Sequence, residues 1–243
     1  MKQIFVASLG FTLLCSSVLA ANTRPSSSTL TSAMEVLNLP AENRRMLIGE
    51  VGEKHYESFI TLAFNDKQPM SVRWRALTAA AESRRERATA DLMKAGSNRE
   101  WYMRNAALVA LNEVNPAQGE VLAKQLLKDK ALVVRSAAVQ ALEKSTNPTT
   151  RDLLWDELNQ NYNFKNTQSL WIRPQIIGIL NKKPLDRELK IFAQLLSDND
   201  IQVQANAIRG LEKLTGVKLG EEANVAKSVG LWKDYVRKEN IQL

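Results

Sequence analysis

The chain has 243 residues, 44% hydrophobic and 24% charged, with 10 Gly and 7 Pro, which excludes the collagen-like, disulfide-rich and low-complexity classes. A single His and a single Cys, the latter at position 15, exclude Cys/His metal sites, disulfides and thiol catalysis. The formal charge of +7, from 33 Lys plus Arg against 26 Asp plus Glu, requires that anionic partners be considered.

Residues 1–20 set Lys2 ahead of an apolar stretch from Ile4 to Leu14 and end on Val18-Leu19-Ala20. That pattern predicts a secretory signal peptide cleaved after Ala20, hence a periplasmic or secreted protein. The apolar run is shorter than the roughly 20 residues needed to cross a bilayer, and no later run is longer, so no transmembrane segment is expected. The rival reading is a lipid anchor on Cys15, although Leu14 is not the small residue that such signals place before the Cys. Cleavage removes Lys2 and no acid, leaving the mature chain basic and without Cys. Residues 21–31, ANTRPSSSTLT, read as a flexible tail. Residues 32–54 read as two capping helices separated at Leu39-Pro40, with Pro40 suited to a first helical turn.

From residue 55 the sequence repeats. Five segments align without gaps: VRWRALTAAAE from Val72, MRNAALVALNE from Met103, VRSAAVQALEK from Val134, IRPQIIGILNK from Ile172 and VQANAIRGLEK from Val203. Their starts are 31, 31, 38 and 31 residues apart, and the extra seven fall near residues 161–167, NYNFKNT, read as a loop insertion or a lengthened helix. Apolar residues at offsets zero, four, five and eight make one stripe on a helix. A second amphipathic stretch precedes each segment, at 55–64, 85–95, 119–128, 150–160 and 186–196. A helix pair of about 31 residues cannot bury both faces alone, so neighbouring pairs must stack. The expected fold is all-α: a gently curved α-α superhelix of about five helix pairs over 55–216, with no strand. Residues 217–243 depart from the repeat, and Leu231, Trp232 and Tyr235 are placed to cover its last unit.

Residues 128–144, KDKALVVRSAAVQALEK, carry a joint with Asp leading into V-R-x-x-A-A-x-A-L. In this the chain resembles HEAT-like (armadillo-like) repeats of the short bacterial, phycobilin-lyase type. The resemblance implies a solenoid scaffold and specifies no particular task.

Arg73, Arg104, Arg135 and Arg173 share one column, with Gln204 in the fifth repeat. Asp66, Asn98, Asp129 and Asp198 stand six or seven residues ahead of the corresponding positions. These residues are read as a structural ladder, the acids accepting from a helix N-terminus and from an Arg of the same or the next repeat. The outward row of the second helices is mostly neutral, against a nucleic-acid role. Its candidate partner-binding residues are Trp74, Thr78, Asn105, Val109, Ser136, Gln140 and Arg209. Trp74 is the expected contact, whereas Trp101, Trp155, Trp171 and Trp232 are expected to pack. Basic clusters at 44–45, 84–87, 182–183 and 237–238 are read as solvated faces. His55, at the start of a first helix, is read as a surface or capping residue.

No nucleophile elbow, phosphate loop, metal set or cofactor motif is present in the sequence. The expectation is a non-catalytic, cofactor-free, exported scaffold for another protein of the cell envelope. The alternatives are a lyase-like enzyme or subunit on the same scaffold, and a charge-driven binder of the envelope surface. Intact-mass analysis of the protein from its own cells should give an N-terminus at Ala21; retention of Met1 would overturn the leader assignment.

Overall fold

A computed structural model describes residues 27–241, so the expected signal peptide and residues 21–26 of the tail lie outside the described residues. Twelve α-helices are found among the described residues: α1 (Ser27–Asn38), α2 (Ala41–Phe64), α3 (Met70–Arg84), α4 (Thr89–Gly96), α5 (Trp101–Val114), α6 (Pro116–Leu126), α7 (Leu132–Ala141), α8 (Pro148–Leu158), α9 (Ile172–Leu180), α10 (Leu189–Leu195), α11 (Ile201–Thr215) and α12 (Val225–Lys238). Helices α2 to α11 form five pairs; α1 packs on α2 and α3, and α12 covers α11.

The apolar columns explain the stacking. All twenty side chains at offsets zero, four, five and eight of the five second helices are buried. Ala76, Ala107, Ala138 and Ala207 stand at the fourth offset, where a small side chain lets the neighbouring helix approach closely. Successive second helices (α3, α5, α7, α9, α11) touch one another throughout. The backbones of the first helices stand farther apart, α4 and α6 approaching most closely, and the others meet chiefly through side chains. The stack is therefore splayed on the first-helix side, and the second helices form its inner side.

Three boundaries differ from the sequence reading. Helix α1 begins at Ser27, inside the stretch expected to be a tail. The second capping helix and the first helix of the first pair are one continuous helix, α2, because nothing between Ala41 and Phe64 breaks it and Gly52 seats against Ser83 of α3. The insertion contains a short antiparallel hairpin, β1 (Phe164–Lys165) with β2 (Gln168–Ser169), where no strand was expected. Its two-residue turn, Asn166-Thr167, has φ of 49° and 64°, the left-handed pair that a tight hairpin requires. Thr in place of Gly at the second position hides that turn from a sequence reading.

The caps follow local chemistry. Asn115, Asn147, Asp200 and Asn224 accept amide hydrogens in the first turns of α6, α8, α11 and α12. Gly216, at φ 72°, ends α11 in the left-handed region. Trp232 is fully buried, and its ring meets Tyr235 edge-on at 5.4 Å, sealing the C-terminal end; Leu231 points outward.

Gly210 marks the tightest approach within a pair. A Cβ there would stand 2.6 Å from the ring of the fully buried Phe192. Gly210→Ala should therefore cost about 1–3 kcal/mol of unfolding free energy, read from urea melts. Gly49→Ala at an exposed position of α2, where a Cβ meets nothing within 4 Å, should stabilise by about 0.5–1 kcal/mol.

Candidate functional site

Four of the five second helices are fixed by a buried guanidinium in their first turn. Arg73, Arg104, Arg135 and Arg173 are all buried, and each first satisfies carbonyls at the end of its own pair's first helix or joint. Arg73 Nε donates to Ala63 O (2.9 Å), Arg104 Nη1 to Asn98 O and Arg99 O (both 2.8 Å), Arg135 Nη1 to Asp129 O (2.8 Å) and Arg173 Nε to Leu158 O (3.1 Å). The Ala63 and Leu158 carbonyls lie in the last turn of their first helices, at the negative end of the dipole, where a cation is favoured.

The same guanidinium then reaches the next pair. Arg104 forms a fork with Asp129, and Arg173 with Asp198. Arg135 meets Asn163 Oδ1 (3.2 Å) and Tyr162 O (2.8 Å). Arg73 donates to the Tyr102 hydroxyl (2.8 Å). Asp66, expected in this ladder, stands outside it, exposed and 3.9 Å from Arg99: Asp129 and Asp198 each receive the Arg of the preceding pair, and no second helix precedes α3. Gln204 keeps the backward half of the motif, donating to Leu196 O and Asp198 O, and has no forward partner.

The insertion belongs to this ladder. It supplies Tyr162, Asn163 and Ser169 as acceptors, and the Phe164 ring lies 4.5 Å from the Arg173 guanidinium. A further buried pair, which sequence spacing did not reveal, joins the first helices. Arg151 of α8 forks onto Glu188, which also accepts from Trp155 Nε1 (2.8 Å) and the Leu185 amide (2.9 Å).

Burial alone would raise the pKa of Asp129, Asp198 and Glu188. Their guanidinium partners and backbone amides outweigh it and hold all three below the ordinary carboxylate range.

With the second helices so fixed, the candidate row divides in two. Between α3 and α5, Trp74, Thr78, Ala81, Val109 and Val114 line an apolar groove of about 110 Å³, with Glu82 and Glu113 at its far end. Burial raises the pKa of Glu82, opposed by Arg45. Further along the row, polar cross-links close the intervals between helices. Ser136 Oγ donates to Gln175 Oε1 (2.8 Å), Gln175 Nε2 to Ser136 O (3.1 Å), and Asn206 Nδ2 to Pro174 O (3.3 Å). Gln140 is exposed and bonded to Glu143, and Arg209 is paired with Glu222 at 3.2 Å. Asn105 does not face outward; α5 is buried on that side, and the residue is unavailable to a partner.

Two tryptophans depart from expectation. Trp155 and Trp232 pack, but Trp101 is 40% and Trp171 51% exposed, because both stand where a second helix begins and nothing overlies them. His55 is buried on α2 beside Phe59, not at the surface, and its Nδ1 has no hydrogen-bond partner among the described residues. Among the described residues no group of three or more His, Cys, Asp or Glu could hold a metal ion, and no helix is long and apolar enough to cross a membrane. The basic clusters are largely paired: Arg84 with Glu53 and Glu57, Arg85 with Glu113, Lys182 with Glu143, Arg237 with Asp234.

Residues 56–143 match the HEAT-repeat family. Over that segment the chain is similar to HEAT repeats, and its fold is an all-α stack of helical repeats. The matched span ends where the spacing lengthens, ahead of the hairpin. The crystal structure of YibA from Escherichia coli is similar over 87% of this chain and 83% of YibA, at 18% identity and a TM-score of 0.53, a likeness of fold alone. No curated protein matches the sequence.

Arg173→Ala should cost about 3 kcal/mol, because it empties a buried guanidinium site and leaves the half-buried Asp198 without its counter-charge. The three lowered carboxylates stabilise the fold fully above their unfolded pKa, and that contribution is lost as pH falls through their folded values. Urea midpoints should therefore be flat from about pH 7 to about pH 5 and fall below about pH 4; Asp198→Asn should start lower and fall less.

Proposed function

We propose that this HEAT-like repeat protein is an exported, non-catalytic scaffold that binds another protein of the cell envelope along its second helices. The observation that carries this reading is the open apolar groove between α3 and α5, with Trp74 and Val109 exposed on a helix face that is otherwise held rigid. A preformed groove spares a partner part of the ordering cost of binding, and a Trp at its mouth is the type of residue that dominates interface energetics. The leader sequence supports export.

The test is cross-linked capture from the organism's envelope extract at low and high salt, read by mass spectrometry. A discrete protein that survives high salt should be lost with Trp74→Ala combined with Val109→Ser, and retained with Arg209→Ala. Capture indifferent to the groove variant, or no discrete protein at either salt, would refute the reading.

A further inference from the structure

The first turns of the second helices carry a second apolar row. Met70, Trp101, Val133, Trp171 and Ile201 each stand at the start of one of the five second helices, and all five are exposed. Side chains in a helix lean toward its N-terminus, so residues here project off the helix end onto the edge of the stack where first and second helices join. Tyr162, from the insertion, is exposed on the same edge. With stacked helices about 8–10 Å apart, the row extends for roughly 40 Å. It is distinct from the α3/α5 groove, which opens on the inner side.

The charges on this edge are net positive after internal pairing. Asp129 and Asp198 are neutralised by Arg104 and Arg173. Arg99 lies against Asp66 and Glu100. There remain Lys67, Lys128, Lys130 and Lys165, all exposed and without an ion pair among the described residues. Opposing them are Asp200, whose carboxylate caps α11, and the one charge of Asp66 and Glu100 that Arg99 does not match, so the lysines outnumber the unmatched acids.

We propose that this edge docks on an anionic phospholipid bilayer, the apolar row entering the headgroup layer and the four lysines meeting lipid phosphates. Trp, Tyr and Lys are the side chains that settle at such an interface, each with an apolar body and a polar tip. A line of single apolar side chains projecting from helix ends suits a flat surface, whereas the inner groove suits an inserted protein segment. Docked this way, the stack stands on its edge and its inner face stays open to a partner.

The experiment is co-sedimentation of the full chain as purified from its host, its N-terminus defined by mass, with vesicles of phosphatidylglycerol and phosphatidylcholine (about one to two) and of phosphatidylcholine alone. Binding is expected to the anionic vesicles, with a blue shift of tryptophan emission. Lys128→Glu with Lys130→Glu, and separately Trp171→Ser, should each weaken binding on the order of tenfold, while Trp74→Ala leaves it unchanged. Far-UV circular dichroism checks that each exposed-site variant is folded. The proposal fails if the chain binds both vesicle types equally, binds neither, or binds regardless of the edge variants. It also fails if Trp171 is needed instead to capture a soluble protein in the absence of vesicles.

Discussion

A buried guanidinium in the first turn of four of the five second helices is the interaction on which the rest of the stack depends. An ion taken out of water is tolerated only when its donors are used, and Arg has five in a fixed fork. Here the backward donors satisfy carbonyls at the end of the pair's own first helix, and the forward ones reach the next pair. One side chain thus closes a helix pair and fixes its neighbour. Hydrophobic burial holds the helices together without direction; the fork sets how far one pair sits from the next.

Around that fork the partners vary while the geometry persists. Aspartate serves twice, a tyrosine hydroxyl once, and an asparagine with a backbone carbonyl once. Aromatic rings lie near three of the four guanidinium groups: Tyr102, Tyr162 and Phe164. A ring face adds a favourable contact with a cation and shields it from solvent. The inserted hairpin fits this pattern. It lengthens one joint, yet it returns acceptors to the same two arginines that the regular joints would serve.

Most of the architecture was legible because it is periodic. The offsets that aligned the five segments are the buried positions, and the Arg column is the ladder. What the sequence concealed was aperiodic. Tyr102 sits on the second helix itself, not in the joint where Asp66 drew attention. Asn163 lies inside the extra seven residues, so no fixed spacing leads to it. Glu188 pairs across first helices whose spacing differs from that of the second helices. Exposure was harder still: the position of Asn105 follows the outward row, yet it is buried, whereas Trp101 and Trp171 look like packing residues and stand in solvent. Side-chain type does not reveal what overlies a helix terminus. The signal available was a large apolar residue at the start of every second helix, visible once the row is extended one turn backward.

The forward reach of the ladder makes the two ends of the stack unequal. If the first pair were lost, Arg73 would leave with it, and Tyr102 would be left with a hydroxyl that water can satisfy. If the last pair were lost, Asp198 would go while Arg173 stayed, a cation without its counter-charge held only by oxygens of Leu158, Asn159 and Ser169. Shortening from the front is therefore cheap and shortening from the back is not. A lineage of such proteins should vary in repeat number at the N-terminal end and keep its final pairs, and a designer trimming the scaffold should cut in the same direction.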